Sequence, residues 1–348
     1  MPGQGDPTEL AARFELAAEV DRVIADVAWL SESPRGRGHH PEAMERAEKY
    51  VYARLSEAGW NVRAAPFEQR WALGVSDAGG RPPLWRRIRL FRRVQGVNLL
   101  AELPGRAPDR CVLLVAHLDS VACSPGADDN ASGVAALLEC ARLLAGLPEP
   151  PAVKLAVVDL EELGKLGSRA LAKDAEFTGN VDAVICLESV GIFSEEPHTQ
   201  RLGGLGLIFR DLARRVSANQ HRGDFALVIH RRSSTAVAQA MVAAGAALRV
   251  PLPVLLARDP RSDGWRGLLA TVFVPLLANF DRSDHAPFWN RGIPAVMLTT
   301  TAPFRNRHYH LEGDRPEELD YPRLTALAAM VSAAAATMIT RAVPAADQ

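Results

Sequence analysis

The sequence predicts an α/β protein, a three-layer sandwich in which a central, largely parallel mixed sheet lies between helices. Two observations carry that reading. Short apolar runs at "GVNLLAELPG", "RCVLLVAHLDS", "VKLAVVDLEE", "VDAVICLES", "DFALVIH" and "IPAVMLTT" recur along the chain, and Ala- and Leu-rich segments of helical period separate them. Strand and helix alternating without an internal repeat is the pattern that buries a mainly parallel sheet beneath crossover helices. Composition agrees: 348 residues, 48% hydrophobic and 23% charged, supply enough apolar surface for a well-buried core.

Taken in order, residues 8–30 and 41–58 read as helices, with Pro41 opening the second and Gly59 closing it. They make an N-terminal helical segment, residues 1–60, expected to pack on an α/β domain of residues 61–348, because no linker forces a second domain. Residues 64–93 read as irregular. Within them "RPPLWRRIRLFRR" carries six arginines, and Ile88 and Leu90 alternate with Arg87 and Arg89 as on the solvated face of a hairpin. The later helical segments are 131–146, 206–220, 234–248 and 321–341. Residues 258–282, rich in Arg, Asp and Gly around Trp265, form an excursion from the sheet. Phe288, Trp289, Phe304 and Trp265 are candidates for a pocket wall, although aromatic residues more often fill a core.

A formal net charge of -1 gives no global attraction to nucleic acid or to an acidic membrane surface. The first residues lack a basic run followed by an apolar stretch, and no apolar segment is long enough to span a bilayer. A cytoplasmic protein with neither a nucleic-acid nor a membrane partner is expected. Cys111, Cys123, Cys140 and Cys186 form no C-x-x-C pair, so buried reduced thiols are expected in place of a disulfide scaffold or thiolate metal site.

The polar residues that remain collect at strand ends. His117 stands where the apolar run "CVLLVAH" stops, and in open α/β sheets the functional crevice lies beyond the carboxyl ends of the strands. Asp119, two residues on, faces the same side and is placed to accept the second N–H of the imidazole. "GADDNASG" brings Asp128 and Asp129 to the start of a helix, Glu161 and Glu162 follow "VKLAVVDL", and Glu188 ends "VDAVICLE". Asp284, His285, His308, Tyr309 and His310 surround the last strand. Alone, each item is an ordinary turn or helix cap. Together, acids and imidazoles at the ends of four successive strands repel one another to no structural purpose.

A pair of divalent ions explains the set. Imidazoles and carboxylates without thiolates suit two Zn²⁺, with Co²⁺ or Mn²⁺ as substitutes. On chemistry alone, His285, His308 and His310 compete as ligands.

The motifs "HLDS", "GADDNASG", "EELGKLGSRAL", "SDHAPFW…GIPAV" and "YHLEGD" resemble, in order and context, those of the zinc-dependent M28 peptidases, over roughly residues 94–340. That family includes aminopeptidases and glutamate carboxypeptidases and is similar to the glutaminyl cyclases. The resemblance implies a zinc-exopeptidase fold of the phosphorylase/hydrolase-like kind. It also implies that His117 and Glu188 complete one zinc site, that Asp129 bridges both, and that Glu162 and His310 complete the other. Glu161 then resembles the general acid/base, Asp119 the partner of His117, and Tyr309 the donor to the developing oxyanion. His308 becomes a neighbour and Asp284-His285 a pocket pair, and the Asp129-Asn130 bond is expected to be cis.

Two departures stand out. Glu188 replaces the aspartate of many aminopeptidases, and Leu311-Glu312 and Arg315 replace a common Thr-Pro and threonine. The implied activity is release of amino-terminal residues from peptides. Alternatives are a carboxypeptidase or other amidohydrolase, a glutaminyl-cyclase-like single-zinc acyltransferase, or a non-catalytic scaffold of the same fold. The implied partner is a peptide or small amide, and the sequence leaves the oligomeric state open.

Overall fold

The computed structural model describes residues 7–75, 88–105, 109–203, 206 and 209–340. Three helices come first: α1 (Pro7–Ala17), α2 (Val20–Leu30) and α3 (Pro41–Glu57). Pro41 sits in the first turn of α3, where its missing N–H costs nothing, and Gly59 follows the helix with a φ of +88°.

A hairpin of β1 (Asn61–Val75) and β2 (Ile88–Glu102) leads into β3 (Cys111–His117). After the turn Ala127–Ser132 come α4 (Gly133–Ala145), β4 (Val153–Val158), α5 (Leu166–Leu171), α6 (Ala175–Thr178) and β5 (Val181–Glu188). The chain continues through α7 (Arg210–Ala218), β6 (Ala226–His230), α8 (Thr235–Ala246), β7 (Val254–Arg258), α9 (Trp265–Phe273), α10 (His285–Asn290), β8 (Ala295–Thr299) and α11 (Tyr321–Thr340).

The eight strands form one sheet in the order β1-β2-β4-β3-β5-β8-β6-β7. Its centre, β4-β3-β5-β8, is parallel; β2 meets β4 antiparallel, and the parallel pair β6-β7 meets β8 antiparallel. Alternate residues of the central strands face opposite layers. Val112, Leu114 and Ala116 pack with α1, α2, α3, α4, α8 and α11, whereas Leu113 and Val115 pack with Phe177, Leu212, Phe288 and Trp289. This is the expected sandwich, with the central strands mainly apolar because both faces are covered.

Three local expectations change. Residues 64–93 are not irregular where described: β1 and β2 pair continuously except at Trp71, although only Leu99–Glu102 of β2 reaches β4, so the remainder projects as a two-stranded ribbon. Charged residues and Pro66 hid the strand, which forms an edge where a missing donor is tolerated. Leu90 is exposed, as a solvated hairpin face requires, while residues 81–87 of the arginine-rich stretch lie outside the described residues. β7 was not anticipated, because five residues behind a proline carry too little periodicity. The excursion at 258–282 contains α9, with Trp265 exposed, whereas Phe288 and Trp289 are core. All four cysteines are free, and Cys111, Cys140 and Cys186 are buried. Among the described residues no helix is long and apolar enough to cross a membrane.

Candidate metal centre

The parallel centre of the sheet sends its strand ends to one edge. β3 ends on His117 beside Val158 of β4, so Glu161 and Glu162 lie just past the neighbouring strand. β5 ends on Glu188 opposite Thr299 of β8, from which the chain passes to Tyr309 and His310. Asp129, with φ −110° and ψ 88°, interrupts the turn before α4, and the Asp129-Asn130 bond is cis.

Two groups of side chains result. The ligand atoms of His117, Asp129 and Glu188 lie within 4.8 Å of one another, and so do those of Asp129, Glu162 and His310. Asp129 belongs to both, with Oδ1 3.2 Å from His117 Nε2 and Oδ2 3.0 Å from His310 Nε2. Glu188 Oε2 stands 3.4 Å from His117 Nε2, and Glu162 Oε1 stands 3.4 Å from His310 Nε2.

Burial makes these atoms expensive if nothing joins them. His117 Nε2, both Asp129 oxygens and Glu162 Oε1 are buried and meet no hydrogen-bond partner among the described residues. A buried polar atom left so costs about 1–3 kcal/mol. Two imidazoles and three carboxylates without a thiolate suit a borderline divalent ion such as zinc, so the residues fit such an ion at each group.

The charges of the cluster are strongly coupled. Burial opposes a charge on His117, but Asp119, Asp129 and Glu188 outweigh it and hold the imidazole well above its ordinary range. Burial likewise opposes a charge on His310, which Glu162 and Asp129 push up to about 12. Burial would raise Asp129, yet the two imidazoles hold it well below the carboxylate range. Burial pushes Glu162 up to about 7 and Glu161 well above its usual value, with the neighbouring carboxylates adding to both.

Supporting contacts orient the groups. His117 Nδ1 lies 3.0 Å from the carbonyl oxygen of Asp119, which can only accept, so this nitrogen carries the proton and Nε2 faces Asp129. The Asp119 carboxylate, 3.6 Å from Nδ1, instead accepts the backbone N–H groups of Glu161 and Glu162, so its main contact differs from the one expected. Tyr309 stacks on His310 at 3.9 Å, and burial and the surrounding carboxylates keep its phenol protonated.

His308 lies outside both groups, its backbone N–H held by Asn306 Oδ1 at 2.7 Å. His285 is also outside them: its Nε2 contacts the Phe280 carbonyl at 2.7 Å, and burial lowers its pKa to about 3. Asp284, buried, accepts the Ser168 hydroxyl.

Sequence reasoning missed three supports. Asp314 accepts the N–H groups of Asp128 and Asp129 at 3.0 and 3.1 Å. Asn306 Nδ2 joins Asp128 to Asp314, and the Ser283 hydroxyl donates to Glu188 Oε2 at 2.6 Å. Their only signal was position inside or beside the quoted motifs.

Residues 98–236 and 270–335 match the family described as Peptidase family M28. The chain belongs to this family. The M28 match contains every residue of the two groups, together with Asp119, Glu161 and Tyr309. Uncharacterized protein YfbL of Escherichia coli (strain K12) is 32% identical over 243 residues, covering 65% of this chain and 66% of YfbL. Leupeptin-inactivating enzyme 1 of Streptomyces exfoliatus is 41% identical over 155 residues, covering 44% of this chain and 30% of that protein. The chain thus matches less than two thirds of the length of these curated relatives. Among solved structures, BSAP, a zinc aminopeptidase from Bacillus subtilis, aligns over 94% of this chain and 97% of its own with a TM-score of 0.63. At 14% identity that likeness is one of fold.

Beside this M28 centre opens a cleft of about 80 Å³ that touches Glu188 and Tyr309. Its wall is mainly apolar, with Leu227, Ile229, Met297, Phe209, Phe280 and Phe304.

Proposed function

We propose that the protein is a two-zinc aminopeptidase that hydrolyses the first amide bond of peptides with an apolar amino-terminal side chain. The observation that carries this reading is the sharing of Asp129 by two ligand groups, with Glu161 directly before the ligand Glu162. His117, Glu188 and Asp129 would hold one ion, and Asp129, Glu162 and His310 the other. Bound there, the ions supply Lewis-acid polarisation of the amide carbonyl and a water acidic enough to ionise near neutral pH.

The chain's own residues do the rest. Glu161 takes the proton of the attacking water and returns it to the leaving amine, the role suited to a buried carboxyl whose proton affinity is already raised. Tyr309, kept as a neutral donor, offers its hydroxyl to the oxygen that gains charge in the tetrahedral state. The apolar cleft beside Glu188 and Tyr309 receives the substrate side chain and excludes water from it.

Membership of Peptidase family M28 supports amide hydrolysis. Two ligand groups, where one would serve a single-zinc acyltransferase, favour the hydrolytic reading. The test is a panel of aminoacyl, carboxy-terminal and N-acyl amides presented to zinc-loaded protein. Turnover of leucyl and phenylalanyl amides with a free amine is expected; cleavage confined to N-acyl amides or to carboxyl ends would overturn the assignment.

A further inference from the structure

The turn between α2 and α3, with the sequence "SESPRGRGHH", lies outside the M28 match, yet two of its arginines reach the strand ends that carry the ligands. Arg35 is buried, and its guanidinium is spent on backbone carbonyls. Nε donates to Leu118 O at 2.9 Å, Nη1 to Pro125 O at 2.6 Å and to Leu30 O, and Nη2 to Gly126 O at 3.1 Å. Its main chain also pairs with Ser120 in both directions, at 3.0 and 2.7 Å. These contacts hold both ends and the middle of the loop that runs from His117 to the Asp129 turn.

Gly126 shows how tightly that loop is packed. It has a φ of +64°, and a Cβ there would stand 2.3 Å from Asp129 O, 2.7 Å from Ser120 Cβ and 3.2 Å from Arg35 Nη2. Arg37 serves the next strand end. Its Nε donates to Asp159 Oδ2 while its Nη2 donates to Glu48, and Asp159 Oδ2 also accepts the Val97 N–H at 3.1 Å. Asp159 is followed directly by Leu160, Glu161 and Glu162.

Burial lowers the Arg35 pKa to about 10 against the opposing pull of Asp119, Asp314, Asp129 and Glu162. A buried cation bonded only to carbonyls is costly, and its contacts are concentrated on the loop between His117 and Asp129, where they fix the backbone that presents the ligands.

We infer that Arg35 and Arg37 are positioning residues for the metal centre, one fixing the loop between His117 and Asp129, the other fixing the strand end before Glu161 and Glu162. This rests on the two-zinc reading above and adds that the centre depends on a segment outside the matched family region.

The test uses the full chain carrying Arg35→Ala, Arg35→Lys or Arg37→Ala, with Arg54→Ala as a control that breaks a remote ion pair to Asp26. Zinc affinity is measured by competition with a chromophoric chelator, alongside the unfolding midpoint of the metal-free protein. Residues that orient metal ligands are typically worth about 10–100-fold in affinity, and losses of that size are expected for Arg35→Ala and Arg37→Ala but not for Arg54→Ala. Millimolar guanidinium should partly restore zinc affinity to Arg35→Ala, which a general loss of stability would not allow. If Arg35→Ala does not fold, Arg35→Lys and Arg37→Ala decide. Folded variants that bind zinc within about threefold of the wild type, against the losses expected of such residues, would overturn the inference. Failure of the two-zinc reading is distinguishable, because the wild type itself would then bind fewer than two equivalents of zinc.

Discussion

Asp119 Oδ2 accepts the backbone N–H of Glu162 at 3.1 Å, while its Oδ1 accepts that of Glu161 at 3.0 Å. One carboxylate thereby fixes the direction of both acids that leave the end of β4. Asp119→Asn replaces one acceptor with an N–H that faces another N–H. Zinc affinity and kcat/KM should each fall by about 10–100-fold, the range for groups that orient ligands. Chelator competition and steady-state kinetics read the two losses; values equal to the wild type would remove Asp119 from the account.

Glu161 belongs to neither ligand group, yet it directly precedes the ligand Glu162 and is buried. Glu161→Gln should retain two equivalents of zinc while kcat falls by about 10²–10⁴, the contribution of a general acid/base. Elemental analysis and turnover on one preparation test this directly. Activity within a few-fold of the wild type at unchanged metal content would show that another group moves the proton.

His308 and His310 differ by position in one turn. His310→Ala should lose zinc, because Nε2 is the nitrogen that faces Asp129 and Glu162. His308→Ala should keep two equivalents, since His308 lies outside both groups. The reverse pattern in elemental analysis would exchange their roles.

The raised values of His117 and His310 set a pH dependence. Without metal both imidazoles stay protonated through neutral pH and Glu162 is partly protonated, whereas zinc binds only the neutral ring and the carboxylate, so loading expels about two to three protons. Apparent affinity for the pair of ions should therefore rise by at least about 100-fold from pH 6 to pH 7, a factor of ten for each proton released. Calorimetry in buffers of different ionisation heat counts those protons. Affinity independent of pH would contradict the proposed charge state.

The sequence carried the strands that are apolar on both faces, such as "CVLLVAH" and "VKLAVV", because burial leaves a continuous run. It did not carry β1, where Pro66 and alternating charges belong to an exposed edge, or β7, which is five residues long. Of the site, the polar residues at strand ends were legible, since His117 and Glu188 each close an apolar run. The contacts that aim them were not. Asp314 meets the Asp129 N–H across 185 residues, and no local period encodes such a pairing.

The central claim is that Asp129 joins two ions, and anomalous diffraction at the zinc edge from crystals of the loaded protein tests it most directly. The account predicts two peaks, one between His117 and Glu188 and one between Glu162 and His310, separated by about 3.5–4 Å as in two-metal sites. A single peak at full zinc saturation, or peaks that leave Asp129 out, would contradict it.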